Sequence, residues 1–147
     1  MPFGLIISFP NLANENWNIA SEATSEYNCI AWAAHDNERW WWPDPSEQYY
    51  WPPSLLREET RDCFMRAYGT LGYEVCYDSS VEAGFEKIAI YVGDDGKPTH
   101  AARQLSNGKW TSKLGNCHDI EHETANGVSG TAYGQVAVYM RRTARRS

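Results

Sequence analysis

Apolar positions with helical spacing mark two segments in the first half of the chain. Four apolar side chains spaced i, i+3, i+4 and i+7 predict a helix over residues 54–71. They are Phe64, Ala67, Tyr68 and Leu71. Gly72 follows directly, at the position where a glycine commonly ends a helix. A shorter helix of small side chains is predicted to begin at Asn28 or Cys29, because asparagine is a favoured N-cap residue.

The second half of the chain has apolar runs that are typical of strands. EKIAIYV at 86–92 predicts a strand that is buried on both faces. THAARQL and KWTSKL flank the turn sequence SNG, and this arrangement predicts a hairpin. Further strands are predicted at YEVCY, at GQVAVYM and at the N-terminal FGLIISF. Helices followed by neighbouring strands predict an α+β fold, in which helices pack on one face of an antiparallel sheet.

Three other segments are predicted to be loops or short helical turns. The polar stretch from 10 to 27 is rich in Asn, Ser and Thr and predicts a loop. RWWWPDPSEQYYWPPS, at 39–54, contains four prolines and cannot be a regular helix. DIEHET, at 119–124, predicts one or two helical turns.

A chain of 147 residues is long enough to bury a sizeable core, and we expect residues 1–147 to form a single domain.

Charge and hydropathy narrow the classes of function. The net charge is -6, so we expect no nucleic-acid partner. No stretch approaches the ~20 apolar residues of a membrane span, and the basic region of a secretory signal peptide is missing. We therefore expect no membrane partner and a cytoplasmic protein at synthesis. The basic residues gather in RRTARRS at 141–147, which predicts a solvated, flexible tail.

Cysteine chemistry gives the first candidate site. The four cysteines are expected to be free thiols, and no C-x-x-C pair supports a zinc site, so we expect neither a metal nor another cofactor. Cys29 would start a helix, where the positive end of the helix dipole lowers the pKa of a thiol. It is therefore a candidate nucleophile, and the alternative is a small thiol packed in the core. Cys63, Cys76 and Cys117 are interpreted as structural.

A thiol nucleophile also needs an imidazole base, and His100 is the best candidate among four histidines. It opens a predicted strand directly after a turn, where its ring could lean towards the start of a helix. His35 lies six residues after Cys29, which is about 9 Å along a helix axis, and should not reach the sulfur. The alternative for His100 is a surface histidine at a strand end.

The strings YNCIAWA and THAARQLSNGKWTS resemble the papain-like NlpC/P60 and CHAP peptidases. Those families place a cysteine at a helix start, a histidine at a strand start, and a third polar residue about twelve positions later. The matching residues are Cys29, His100 and Ser112. The resemblance implies a papain-like fold and hydrolysis of an amide bond by Cys29, with His100 as general base. The chain is also similar to an uncharacterised bacterial family that shares GFEKIAIY and WTSKLG, which implies no known activity.

The resemblance to the peptidases also implies supporting residues. The oxyanion would be held by the backbone N–H of Cys29, together with the side chain of Asn28 or the hydroxyl of Tyr27. A serine orients an imidazole less strongly than the third residues usual in these families. Gln104 and Asp119 are therefore alternative candidates for that role.

The aromatic loop at 39–54 has two interpretations. It can line the cleft of an active enzyme, and the predicted substrate contacts are then Trp40, Trp41, Tyr50 and Trp51. The alternative is a proline-braced loop that folds its aromatic side chains over the helices.

The resemblance implies two substrate types, a peptide fragment of the bacterial cell wall or a protein amide. Without a signal peptide, an enzyme that cleaves the cell wall needs export by a signal-peptide-independent secretion system, as an effector. An inhibitor or immunity protein would then be a further partner. Two rival functions stay open. One is an inactive papain-like module that binds through the aromatic loop, and the other is an interaction or immunity-type protein.

Overall fold

The computed structural model describes residues 8–21, 24–114 and 118–144. The strands in these ranges are β1 Trp17–Ser21, β2 Glu74–Cys76, β3 Phe85–Val92, β4 Pro98–Gln104, β5 Trp110–Lys113, β6 Asp119–His122 and β7 Gln135–Thr143. The α-helices are α1 Cys29–Ala33 and α2 Arg61–Gly69, and the 3-10 helices are η1 Pro10–Asn14 and η2 Ala125–Val128.

The strands form one seven-stranded sheet in the order β1-β6-β5-β4-β3-β7-β2. All neighbouring strands run antiparallel, so the predicted α+β class with an antiparallel sheet is confirmed. The predicted hairpin is also confirmed, because β4 and β5 pair across the turn at 105–109. At one edge, the three-residue β2 pairs only with residues 139–141 of the nine-residue β7.

Each face of the sheet carries its own apolar core. On the first face, here called the helix face, α1 and α2 pack on Ile88, Ile90 and Ala101. On the opposite face, η1 and η2 pack on side chains that include Tyr91 and Trp110. Successive side chains of a strand point to opposite faces, which is why a single run such as β3 supplies both cores.

The two helices differ in how well the sequence predicts their limits. The start of α1 is confirmed, because Asn28 caps the helix with its side chain and Cys29 is the first helical residue. Helix α2 begins seven residues later than predicted, after the N-cap Thr60. Ser54, the predicted start, has a positive φ of 71° directly after two prolines, which is incompatible with a helix there.

Two predictions of segment type are wrong. DIEHET is not helical, because Asp119–His122 forms β6 and pairs on both sides, with β1 and β5. The segment 10–27 is not only loop, since it contains η1 and β1. The segment 10–27 is polar because β1 lies at an edge of the sheet and exposes most of its side chains. In β6, by contrast, the polar side chains of Asp119 and His122 are buried and hydrogen-bonded.

The basic tail is also shorter than predicted. Arg141 and Arg142 belong to β7 and form ion pairs with Glu82 and Glu86. These two arginines are therefore part of the sheet rather than of a solvated tail. Residues 145–147, Cys117 and most of the predicted strand FGLIISF lie outside the described residues.

Candidate functional site

Cys29 occupies the predicted position at the start of α1, but it is buried, with 7% of its surface exposed. Burial raises the pKa of the Cys29 thiol to about 11. Backbone hydrogen bonds, the first from Ala101, and the charge of Lys113 act in the opposite direction without offsetting the burial. The sulfur is therefore a protonated thiol at neutral pH, which is a poor nucleophile.

The structure does not bring Cys29 and His100 together. Cys29 contacts the helix face of the sheet at Ala101, and His100, the residue that precedes Ala101 in β4, points to the opposite face. There its ring lies parallel to that of Tyr133, with the ring centroids 4.0 Å apart, and against the edge of Tyr91. Its Nδ1 is buried and has no hydrogen-bond partner among the described residues. The predicted proton transfer from Cys29 to His100 has no contact to support it.

The predicted pair of His100 and Ser112 is formed, and it includes a residue that sequence reasoning missed. The Nε2 of His100 lies 3.0 Å from the hydroxyl of Ser112, and the Nε2 of His122 lies 2.8 Å from the same hydroxyl. All three side chains are fully buried on the opposite face. His122 lies two residues after the apolar Ile120, and this alternation would have placed its ring on the same face if β6 had been recognised as a strand.

The partners of this polar chain fix the direction of its hydrogen bonds. The carbonyl of Thr124 accepts from Nδ1 of His122 at 2.7 Å, so the Nε2 of a neutral His122 must accept. Ser112 donates its single proton to that nitrogen, and the Nε2 of His100 therefore donates to Ser112. The proton of a neutral His100 is then on Nε2, and its Nδ1 carries an unused lone pair.

Both histidines of the chain are held neutral. Burial lowers the pKa of His100 well below its ordinary value of 6.5, and the nearby His122 lowers it further. Burial also lowers the pKa of His122, although its hydrogen bond to the Thr124 carbonyl acts in the opposite direction. We infer that the hydrogen-bonded chain of these two histidines and Ser112 is uncharged at neutral pH.

The two side chains that were predicted to hold an oxyanion are already engaged. The side-chain oxygen of Asn28 accepts from the backbone N–H groups of Ala31 and Trp41, and its Nδ2 donates to the Trp41 carbonyl. The hydroxyl of Tyr27 donates to Asp119 at 2.6 Å, and burial together with that hydrogen bond raises the pKa of Tyr27 to about 12. These contacts anchor α1 to the aromatic loop and to β6.

The alternative third residues do not reach the ring of His100. Asp119 lies on the helix face, where Tyr27 contacts its carboxylate, so the sheet separates it from His100. Gln104 donates to the carbonyls of Ser79 and Gly108, which ties β4 to two turns.

The aromatic loop mainly packs on the helices, as its second interpretation predicts. Trp41 is 3% exposed and Trp51 is 4% exposed, so neither can be a substrate contact in this structure. Trp51 packs on Phe64 of α2. Two predicted contacts are less buried: Trp40 donates to a loop carbonyl, and Tyr50 lies under the guanidinium of an arginine.

A family model matches residues 18–141, which extend from β1 into β7, and describes them as a domain of unknown function, DUF7689. The chain belongs to the DUF7689 family. Comparison of this DUF7689 domain with curated proteins and with solved structures finds no match. Within its described ranges, none of the helices has the length and apolar character to cross a bilayer, and no group of three or more metal-ligating side chains converges.

The DUF7689 domain has an open polar cleft of about 640 Å³ beyond the C-terminal end of α1. Residues 34–39 form one side, Trp41 and Leu71 supply apolar surface, and Arg142 lies at another side. His35 adopts a positive φ of 65° because it ends α1, and the next amide donates back to the carbonyl of Ala31. The cleft therefore lies on a fixed turn.

Charged side chains of both signs border this cleft. Arg39 donates to Asp36 at 2.7 Å, and its side chain is 53% exposed. His35 is also exposed and contacts Arg103 through Nδ1 at 2.6 Å, while its Nε2 lies 3.8 Å from Glu86. Arg39 is more accessible than His35, whose side chain is 39% exposed, and than Arg103, which is half-buried.

Proposed function

We propose that this DUF7689 domain is a catalytically inactive binding module. The observation that carries the proposal is the position of Cys29 and His100 on opposite faces of the sheet. A cysteine nucleophile needs a base within hydrogen-bond reach and a thiolate, and neither condition is supported at Cys29. The resemblance to the papain-like peptidases is then a resemblance of element order, and a scaffold can keep that order without the activity.

The polar cleft beside α1 is the proposed binding site, and a short peptide with a free carboxylate is the proposed ligand. Arg39 pairs with Asp36 and stacks on the ring of Tyr50. An exposed ion pair and an exposed cation–π contact each contribute about 1 kcal/mol or less, so Arg39 can turn to a ligand carboxylate at modest cost. Asp36 keeps its hydrogen bonds from Trp41 and from the amide of Glu38 when Arg39 leaves. The half-buried Leu71 offers apolar surface to a neighbouring ligand side chain.

The choice of a peptide follows from the two signs of charge around the cleft. Arg39 can pair with a carboxylate, and the exposed Glu38 beside it can pair with an amino group. Peptides with both groups include fragments of the bacterial cell wall, which the resemblance to the peptidases also suggests.

A calorimetric titration tests this proposal. Short peptides with a free carboxylate should bind the wild-type domain, and their C-terminal amides should bind about tenfold more weakly, since a charge-assisted contact is lost. Arg39→Gln should weaken binding by a similar factor. Arg66→Gln is the matched control, because Arg66 is also an exposed arginine paired with an aspartate, on α2 and away from the cleft.

A parallel experiment separates binding from hydrolysis. Cys29→Ala should bind the same peptides with unchanged affinity, and mass spectrometry should find the peptides intact after incubation with either protein. A peptide that the wild-type domain cleaves and Cys29→Ala does not would overturn the proposal and restore the cysteine hydrolase.

A further inference from the structure

The chain formed by His100, Ser112 and His122 is unusual for the centre of an apolar core. It lies on the face opposite to the proposed cleft, so it is independent of the proposed function. We infer that this chain is an acid-sensitive latch that holds the loop at 130–134 closed over His100. A proton added to the chain would open that loop.

The hydrogen-bonded chain of His100, Ser112 and His122 can take up one proton, because one of its ring nitrogens has no hydrogen-bond partner. The Nδ1 of His122 is used by the Thr124 carbonyl, and the hydrogen bonds along Ser112 use both Nε2 atoms. The Nδ1 of His100 alone has a free lone pair. A proton there converts it into an N–H donor without an acceptor, which is costly in a buried site. When the loop opens, water reaches the ring and accepts from this N–H. Opening therefore removes that cost.

The cover over His100 is a small loop with glycines at both ends. Gly130 and Gly134 exchange backbone hydrogen bonds of 2.9 and 2.7 Å, and both have positive φ. Between them, Tyr133 lies flat on His100 at 4.0 Å, and its carbonyl accepts from the hydroxyl of Thr99. Glycines tolerate a wide range of backbone angles, so rotation at the two ends can lift Tyr133 without moving β7.

The surroundings give a protonated His100 little support from opposite charge. Tyr91 of β3, Ser112 of β5, His122 of β6 and Tyr133 of the loop face its ring. Glu15, which follows η1, binds the amide and hydroxyl of Thr124 and acts on His122 rather than on His100.

Transfer of the added proton to His122 would also leave a buried N–H donor without an acceptor. The two imidazoles share Ser112, so a proton that enters at His100 can be passed along the chain to His122. That transfer reverses the chain and leaves the Nδ1 of His100 protonated. The buried donor without an acceptor therefore persists wherever the charge resides.

Hydrogen exchange measured against pH tests the latch. In the wild-type domain, the equilibrium constant for opening of amides 130–134 should rise about tenfold for each unit by which the pH is lowered, over the range in which His100 takes up its proton. One linked proton sets that slope. The amides of β3 and α2 should stay protected over the same range. His100→Gln removes the titrating group and should make opening of the loop independent of pH. His35→Gln is the control, because His35 is an exposed histidine on the helix face.

Two results would overturn the inference. One is a loop whose opening does not change with pH, and the other is loss of protection in β3 together with the loop, which indicates only global acid unfolding. If His100→Gln fails to fold, Tyr133→Ala gives an independent test. Without the cover, the pKa of His100 measured by NMR should rise towards about 6.5, and an unchanged value would contradict the latch.

Discussion

Cys29 and His100 lie on opposite faces of one sheet, although Cys29 contacts Ala101, the neighbour of His100 in β4. The N–H of Ala101 reaches the sulfur, and the side chain one residue earlier points away from it. A difference of one residue along β4 thus separates a catalytic pair from two unrelated buried groups.

The first prediction concerns the reactivity of the thiols. Iodoacetamide should alkylate Cys29 slowly at neutral pH, at a rate comparable to those of Cys63 and Cys76, because all three are buried free thiols. The rate at Cys29 should rise with pH towards the pKa of about 11. Peptide mapping by mass spectrometry measures each cysteine separately. Fast labelling of Cys29 alone at neutral pH would indicate an activated nucleophile and contradict the structure.

The second prediction concerns the cap of α1. Asn28→Ala should lower the free energy of unfolding by about 2–4 kcal/mol, because it removes a helix cap and leaves the buried backbone groups of Trp41 without partners. Thr60→Ala is the matched control at the N-cap of α2, where a single hydrogen bond to the Cys63 amide is lost. It should cost about 1 kcal/mol. Equal losses in urea unfolding would show that the contacts to Trp41 contribute nothing.

The third prediction concerns the end of the loop at 130–134. A Cβ at Gly134 would lie 1.9 Å from the carbonyl oxygen of Val92, and φ there is +78°. Gly134→Ala should therefore destabilise the fold by more than about 3 kcal/mol, since the backbone must move. Gly96→Ala has almost the same φ, +79°, with no atom within 4 Å, and should cost only about 1 kcal/mol. Thermal unfolding of the two variants gives the comparison, and similar Tm values would contradict it.

The fourth prediction is the pH dependence of stability. His100 and His122 have lowered pKa values in the folded state, so the unfolded chain binds more protons below about 6.5. Stability is therefore full above that pH and falls as the pH decreases, by up to about 1.4 kcal/mol per pH unit for each histidine. Urea unfolding at several pH values measures the slope. Replacement of both histidines by Gln should flatten it.

Local signals in the sequence predicted much of the fold. The N-cap Asn28, the apolar run of β3 and the turn between β4 and β5 were each recognised from a few neighbouring residues. Strand β6 was missed because its polar residues at 119 and 121 resemble a surface helical turn, and only pairing with β1 and β5 makes it a strand. Such long-range pairing has no local signature.

The candidate site shows a second limit of the sequence. The order of Cys29, His100 and Ser112 along the chain is the same whether β4 presents His100 or Ala101 to the helices. Because side chains alternate, a shift of one residue in register exchanges the two faces. The resemblance to the peptidases implied the pairing of His100 with Ser112, and the two residues do lie on one face of adjacent strands. It could not predict which face that is.

The position of β1 has a consequence for the order in which the protein assembles. Trp17 is paired with His122, so the first strand has its partner about a hundred residues further along the chain. The hairpins β3–β4 and β4–β5 join near neighbours and can close early, whereas the loop that joins β1 to β6 carries a larger entropic penalty. On a ribosome, the N-terminal strand must remain unpaired until nearly all of the domain has been synthesised.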